Sequence, residues 1–162
     1  MALSSNSFFF KLPLILYFLK GAAHVGLMKV MREVSIPIDR IGGVSIGAFI
    51  GGLWATHRNY AKVEAISKEW FGLIKYGYLG HISNLTYPIN SPFTGEYFNS
   101  TVKWSHGENI MIEDLWIPYF CCTTDISNLR QRVHKSGWLW RYCRASMSYA
   151  YVSLVMYYIN YP

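Results

Sequence analysis

Apolar and polar positions follow a helical period through much of the chain. From Tyr60 to Lys75 the apolar side chains fall on one face and the charged side chains on the other. The apolar face carries Val63, Ile66, Trp70 and Ile74, and the polar face carries Lys62, Glu64, Lys68 and Glu69. This pattern predicts an amphipathic helix with one face in the core.

The segment from Gly47 to Thr56 differs, because nearly every position in it is apolar. A helix of this composition is expected to be buried on most of its faces. Ala22 to Val34 predicts another helix, which ends before Pro37. Its apolar side chains near helical spacing are Ala23, Leu27, Val30 and Met31.

The remaining segments complete an alternation of strands and helices. Strands are predicted at Leu12–Leu19, Ile38–Gly42, Ile117–Ile126 and Arg132–His134, the last as a partner of the third. Helices are predicted at Phe93–Trp104 and Gly137–Met147, and a long loop at residues 76–92, which hold Gly77, Gly80, Pro88 and Pro92. The alternation predicts an α/β fold with a mostly parallel central sheet.

The two ends differ in composition from the middle. Residues 1–19 carry one charge, Lys11, and residues 146–162 carry none. Phe8 to Leu19 is shorter than the about 20 apolar residues of a transmembrane helix and lacks the basic start of a signal peptide. We expect a buried strand there, with a membrane-surface anchor as the alternative.

Composition narrows the classes of partner. The chain of 162 residues is 52% hydrophobic and 15% charged, with a net charge of +6. One domain with an ample core is expected, and the charge suits an anionic membrane surface. The basic residues are scattered, so no nucleic acid is expected as a partner. Cys121, Cys122 and Cys143 have no metal-ligand spacing, which favours reduced thiols in the cytosol and neither a metal nor a cofactor.

The candidate chemistry centres on the motif Gly-x-Ser-x-Gly. It consists of Gly43, Val44, Ser45, Ile46 and Gly47, and lies between a predicted strand and a predicted helix. A serine in this position lies on a strained turn, where no side chain fits at the flanking glycines and the helix dipole points at the hydroxyl. A glycine-rich turn without catalytic function remains the alternative, since the pentapeptide alone is a weak signal.

Other candidate residues have structural explanations beside the catalytic ones. Asp125 and His134 would complete a Ser-Asp-His triad with Ser45, although the 44 residues before Ser45 allow only about two strands. Asp125 is better explained as ordering the turn after its strand. His24 is expected to be a core or helix-packing histidine rather than a catalytic one, and Ser146 to pack or cap a helix.

The order of several spaced blocks is more specific than the pentapeptide. They are Lys20–Gly26, Ile38–Phe49, Leu85–Ile89, Ile112–Phe120, Thr123–Ile126 and Trp140–Ser148. On these blocks, residues 20–148 resemble the patatin-like phospholipases, within them the neuropathy target esterase branch of lysophospholipases. The resemblance implies a three-layer α/β fold and a Ser-Asp dyad without a catalytic histidine, with Ser45 as the nucleophile.

Two parts of the family pattern are not found in this sequence. The dyad aspartate belongs to an Asp-Gly-Gly motif, but no acidic residue follows Asp125. The glycine-rich oxyanion loop is reduced to Lys20-Gly21, with Leu14 to Leu19 where glycines are expected. We therefore expect a partial patatin-like domain at 20–148, incomplete at its C-terminal end, between an atypical strand-like segment at 1–19 and an atypical apolar tail at 149–162.

The resemblance implies a function for the chain. It implies a serine esterase of lipid metabolism that cleaves acyl esters of lysophospholipids or phospholipids, such as lysophosphatidylcholine, through an acyl-Ser45 intermediate. It also implies a membrane surface as partner, at the cytosolic face of the endoplasmic reticulum or on lipid droplets. Because the aspartate and the glycine-rich loop are missing, we expect impaired activity. The alternative is an inactive chain that acts only through membrane or partner contacts.

Overall fold

The computed structural model describes residues 21–82 and 95–148, with only the backbone at residues 75–82 and 95. The elements in chain order are helix α1 at residues 21–33, strand β1 at Ile41–Val44, helix α2 at Ile46–His57 and helix α3 at Tyr60–Ile82. They continue with α4 at Gly95–His106, a 3-10 turn at Ile112–Asp114, β2 at Tyr119–Asp125, β3 at Arg130–His134 and α5 at Leu139–Ser146. This succession confirms the predicted α/β class.

The described strands form one sheet in the order β1-β2-β3. β1 and β2 are parallel, with Ile41 opposite Tyr119 and Val44 opposite Cys122. β2 and β3 are antiparallel, as predicted for the pair. The parallel pair places the ends of β1 and β2 at the same edge, and this edge carries Ser45.

Helix α2 lies at the centre of the core. Its side chains Phe49, Ile50 and Leu53 are fully buried, as its apolar sequence predicts. The hydroxyl of Tyr119, at the start of β2, donates to the carbonyl of Ala48 at 2.8 Å. This buried hydrogen bond joins α2 to the sheet and fixes the helix behind the strand that precedes it.

Helix α3 buries the face that its period predicts, with Val63, Trp70 and Ile74 in the core. The prediction of a loop from residue 76 was wrong for residues 76–82, which continue the helix to Ile82. Glycine costs a helix only about 1 kcal/mol, so Gly77 and Gly80 weaken it without ending it. The rest of the predicted loop, residues 83–92, lies outside the described residues.

Helix α1 buries a different face from its apparent apolar stripe. Leu27 and Val30 are exposed by 59% and 51%, whereas Val25 is buried. Gly21 faces the core too, because a Cβ at Gly21 would lie 2.6 Å from Cζ of Phe71 and 2.8 Å from Cγ1 of Ile46. The close approach at this glycine sets the rotation of the helix.

Two further predictions concern the ends and the membrane. The strand expected at Leu12–Leu19 and the apolar tail at 149–162 both lie outside the described residues. Within residues 21–82 and 95–148, no helix combines the length and the apolar character needed to cross a bilayer.

Candidate active site

Ser45 occupies a sharp corner between a strand and a helix. β1 ends at Val44, α2 begins at Ile46, and Ser45 between them has φ 57° and ψ −124°. A positive φ is unfavourable for a residue with a side chain and is often found where a functional group must be presented. The predicted strand–turn–helix geometry is therefore present at the Gly-x-Ser-x-Gly motif.

The two glycines of the motif differ in how closely the protein surrounds them. A Cβ at Gly43 would overlap the backbone of Gly47 and Ala48. A Cβ at Gly47 would meet only Nε2 of His24, at 3.6 Å, which is an ordinary contact. The expectation that no side chain fits is right for Gly43 and wrong for Gly47, because the chain folds back over the first glycine and not over the second.

The Ser45 side chain is buried without a hydrogen-bond partner. Its Oγ is shielded from solvent and contacts no donor or acceptor among the described residues. Buried polar atoms are nearly always paired, so an orphaned hydroxyl at a strained corner needs an explanation. A nucleophile that awaits a base and a substrate provides one.

The backbone amide of Ser45 is held by a distant serine. It donates to Oγ of Ser146 at 2.8 Å, and that Oγ donates to the carbonyl of Cys122 at 2.7 Å. The sequence predicted only packing or capping for Ser146 and did not predict this contact. No local signal indicates it, because the two serines are 101 residues apart in the chain.

The first turn of α2 begins directly after Ser45 and presents its backbone amides at this corner. The amide of Phe49 makes the first bond of the turn, to the carbonyl of Ser45 at 3.1 Å. The amides of Ile46, Gly47 and Ala48 precede it and have no acceptor within the helix. Together with the helix dipole they favour negative charge beside Ser45.

Helix α1 borders the same corner. Gly21 packs against the side chain of Ile46, the residue that follows Ser45. His24 is exposed, and its Nε2 lies beside Gly47. Lys20, the other residue of the expected oxyanion remnant, lies outside the described residues. The arrangement brings Gly21 and His24 to the corner, although they are more than 20 positions from Ser45 in the sequence.

Asp125 and His134 take part in a hairpin instead of a triad. Oδ1 of Asp125 accepts from the amides of Ser127 and Asn128 at 3.1 and 3.3 Å. Hydrogen bonds from Asn128 are the main cause that lowers the pKa of Asp125, and Arg132 adds to them. Nε2 of His134 is paired with Oγ1 of Thr123 at 2.7 Å. The predicted role of Asp125 in ordering the turn is confirmed.

The cysteines have no catalytic or metal-binding environment. All three are free and buried. Burial raises the pKa of the Cys143 thiol to about 12 and raises that of Cys121 further. Such thiols remain protonated at neutral pH and are poor nucleophiles or ligands. Within the described part of the chain, no group of His, Cys, Asp and Glu converges that would hold a metal ion.

Two surface cavities of the described residues lie at the opposite end of the strands. One, of about 320 Å³, is lined by residues that include Arg40, Glu113 and Tyr119, which precede or begin strands. Ser45 follows the carboxyl end of β1. In open α/β sheets ligands bind at that end of the strands, so Ser45 has the position expected of a candidate site and this cavity does not.

Comparison with known proteins identifies the family. The sequence profile of the patatin-like phospholipases matches residues 18–158. Neuropathy target esterase sws of Drosophila persimilis is 49% identical over 129 residues, which cover 80% of this chain and 9% of that protein. The sws protein of Drosophila melanogaster is 48% identical over 129 residues, which again cover 80% of this chain and 9% of that protein. This chain thus spans less than a tenth of the length of these relatives, and it belongs to the patatin-like phospholipase family.

Proposed function

We propose that Ser45 is the nucleophile of a serine esterase that hydrolyses acyl esters of lysophospholipids or phospholipids. The observation that carries the proposal is the strained conformation of Ser45, with φ 57° and ψ −124°, at the junction of β1 and α2. The buried, unpartnered hydroxyl at that junction supports it. Membership of a phospholipase family supports the choice of an ester of a lipid as substrate.

The proposed reaction has two steps. Oγ of Ser45 bonds to the ester carbonyl carbon, the ester C–O bond breaks, and the alcohol leaves with a proton. Water then cleaves the acyl-Ser45 ester and releases the fatty acid. In both steps the carbonyl oxygen gains negative charge, which the amides at the start of α2 can stabilise. Gly21 of the Lys20-Gly21 remnant packs beside this turn.

The proposed reaction requires a base that takes the proton of the Ser45 hydroxyl. The family resemblance assigns it to an aspartate, and no acidic residue follows Asp125 in this sequence. General base assistance is worth about 10²–10⁴-fold in rate. We infer that these 162 residues by themselves react slowly with an ester.

A membrane surface is the proposed place of action. The substrate class resides there, and the net charge of +6 favours an anionic lipid surface. The relatives are named neuropathy target esterases, which agrees with ester cleavage. We propose the cytosolic face of the endoplasmic reticulum or the lipid droplet, as the resemblance implies.

Covalent labelling tests the nucleophile directly. The folded chain is incubated with a fluorophosphonate, the modified residue is located by mass spectrometry, and lysophosphatidylcholine hydrolysis is measured in parallel. We expect slow labelling at Ser45 and none in Ser45→Ala. A folded chain that takes no label would favour the alternative, an inactive chain that acts through contacts alone. Labelling as fast as that of neuropathy target esterase sws of Drosophila melanogaster would contradict the inferred impairment.

A further inference from the structure

A single hydroxyl connects the Ser45 corner to the rest of the sheet. Oγ of Ser146 accepts the Ser45 amide at 2.8 Å and donates to the carbonyl of Cys122 at 2.7 Å. Ser146 is the last residue of α5, and Cys122 lies in β2. The three residues come from separate elements, so the bridge exists only in the folded chain.

The bridge stands where the backbone ladder stops. The parallel pairing of β1 with β2 ends with Val44 opposite Cys122. At the next residue, Ser45, the chain turns out of the strand with φ 57° and ψ −124°. The amide of Ser45 therefore no longer pairs with the neighbouring strand. It donates its hydrogen bond to the Ser146 hydroxyl instead. The same hydroxyl donates to the carbonyl of Cys122 and so links Ser45 to β2.

We propose that Ser146 is a positioning residue for the Ser45 nucleophile, which it holds by bridging the Ser45 amide to the Cys122 carbonyl. The inference rests on the proposed function of Ser45. A backbone in a sparsely populated conformation persists only where the surroundings fix it. A displacement of reacting groups by about 1 Å can cost 10²-fold in rate. Ser146 thus maintains the geometry from which the hydroxyl attacks.

Ser148, two residues after Ser146, has a hydroxyl whose hydrogen bonds are confined to the end of its own helix. Oγ of Ser148 donates to the carbonyl of Arg144 at 3.1 Å and accepts from the guanidinium of the same residue. Both partners of the Ser148 hydroxyl are atoms of Arg144, which lies in the last turn of α5. Ser146 instead has both partners outside its helix. Ser148 is therefore the matched control for Ser146.

Amide hydrogen exchange in the full chain tests the bridge without requiring activity. We expect the Ser45 amide to exchange at least about tenfold faster in Ser146→Ala than in the wild type, because the acceptor that it has among the described residues is removed. Ser146→Thr keeps the hydroxyl and is expected to keep slow exchange, as is Ser148→Ala. Unchanged exchange at Ser45 in Ser146→Ala would overturn the inference.

The rate of fluorophosphonate labelling at Ser45 tests the consequence for chemistry. We expect Ser146→Ala to be labelled about 10- to 100-fold more slowly, with the rate restored in Ser146→Thr and unaffected in Ser148→Ala. Faster exchange with an unchanged labelling rate would overturn the positioning role. A wild-type chain that takes no label overturns the proposed nucleophile, and the exchange comparison then still decides whether Ser146 holds the corner.

Discussion

At the scale of a residue, Ser45 carries the main conflict between stability and chemistry. Its φ of 57° and ψ of −124° suit glycine and strain a residue with a Cβ. Strain of this kind costs about 1–3 kcal/mol. The buried hydroxyl has no partner among the described residues, which adds a desolvation cost. Gly43 beside it is fixed by sterics, since the backbone of Gly47 and Ala48 fills the space of a side chain.

Two substitutions at Ser45 separate the strain from the hydroxyl. Both Ser45→Gly and Ser45→Ala remove the buried oxygen, but only glycine relaxes the positive φ. We expect Ser45→Gly to be about 1 kcal/mol more stable than Ser45→Ala in urea unfolding, since the relief exceeds the entropy that glycine adds to the unfolded chain. Neither variant should be labelled by a fluorophosphonate. Equal stabilities would show that the corner is not strained.

At the scale of an element, the packing of helix α2 depends on glycines that allow the neighbouring helices to approach it closely. A Cβ at Gly52 would lie 2.9 Å from Nε2 of His106 and 3.4 Å from Sγ of Cys143. His106 belongs to α4 and Cys143 to α5, so one glycine lets two helices approach α2. His106 uses the approach to pair Nε2 with the carbonyl of Phe49 at 3.1 Å. The nearly all-apolar sequence of α2 determines its burial, and its glycines determine how close the other helices come.

Gly52→Ala is expected to destabilise the protein although alanine favours helices. The added methyl group must displace the His106 ring, and such overpacking costs about 1–3 kcal/mol. Gly72→Ala in α3 is the matched control, because nothing lies within 4 Å of its Cβ position. For Gly72→Ala we expect the unfolding free energy to rise by up to about 1 kcal/mol, because alanine has the higher helix propensity. Urea unfolding of both variants measures the difference, and equal shifts would contradict the packing argument.

At the scale of the whole molecule, the buried His106 links stability to pH. Burial lowers the pKa of His106 to about 4 from its ordinary 6.5, although its hydrogen bond to Phe49 opposes the shift. Between these values the unfolded chain binds a proton that the folded chain does not. The stability is therefore complete above about pH 6.5 and falls as the pH decreases towards 4.

Unfolding at two pH values tests this linkage. We expect the wild type to lose about 2 kcal/mol of unfolding free energy between pH 7.5 and pH 5 on account of His106. His106→Gln retains an amide donor for the Phe49 carbonyl and does not titrate. Its pH dependence should be weaker by that amount, although His57 and His134, whose pKa values are also lowered, still contribute. An identical pH dependence in both proteins would exclude His106 as the source.

Local patterns in the sequence predicted the elements and the corner. The period of α3 and the apolar run of α2 predict which faces are buried, because both depend on spacing within one segment. The Gly-x-Ser-x-Gly motif predicts the turn between β1 and α2, because the conformation of a tight corner is decided by a few neighbouring residues. The turn role of Asp125 follows in the same way from the residues just after it.

Other features were decided only by the tertiary structure. The buried face of α1 follows from the approach of Gly21 to Phe71, and the side chain that a Cβ at Gly47 would meet is His24 of the same helix, at 3.6 Å. The bridge from Ser45 through Ser146 to Cys122 joins residues from three elements. Spacing along the chain carries no information on such contacts, because packing brings together side chains whose separation in sequence is arbitrary. The sequence by itself thus determined where the serine is presented, and the fold decided what holds it there.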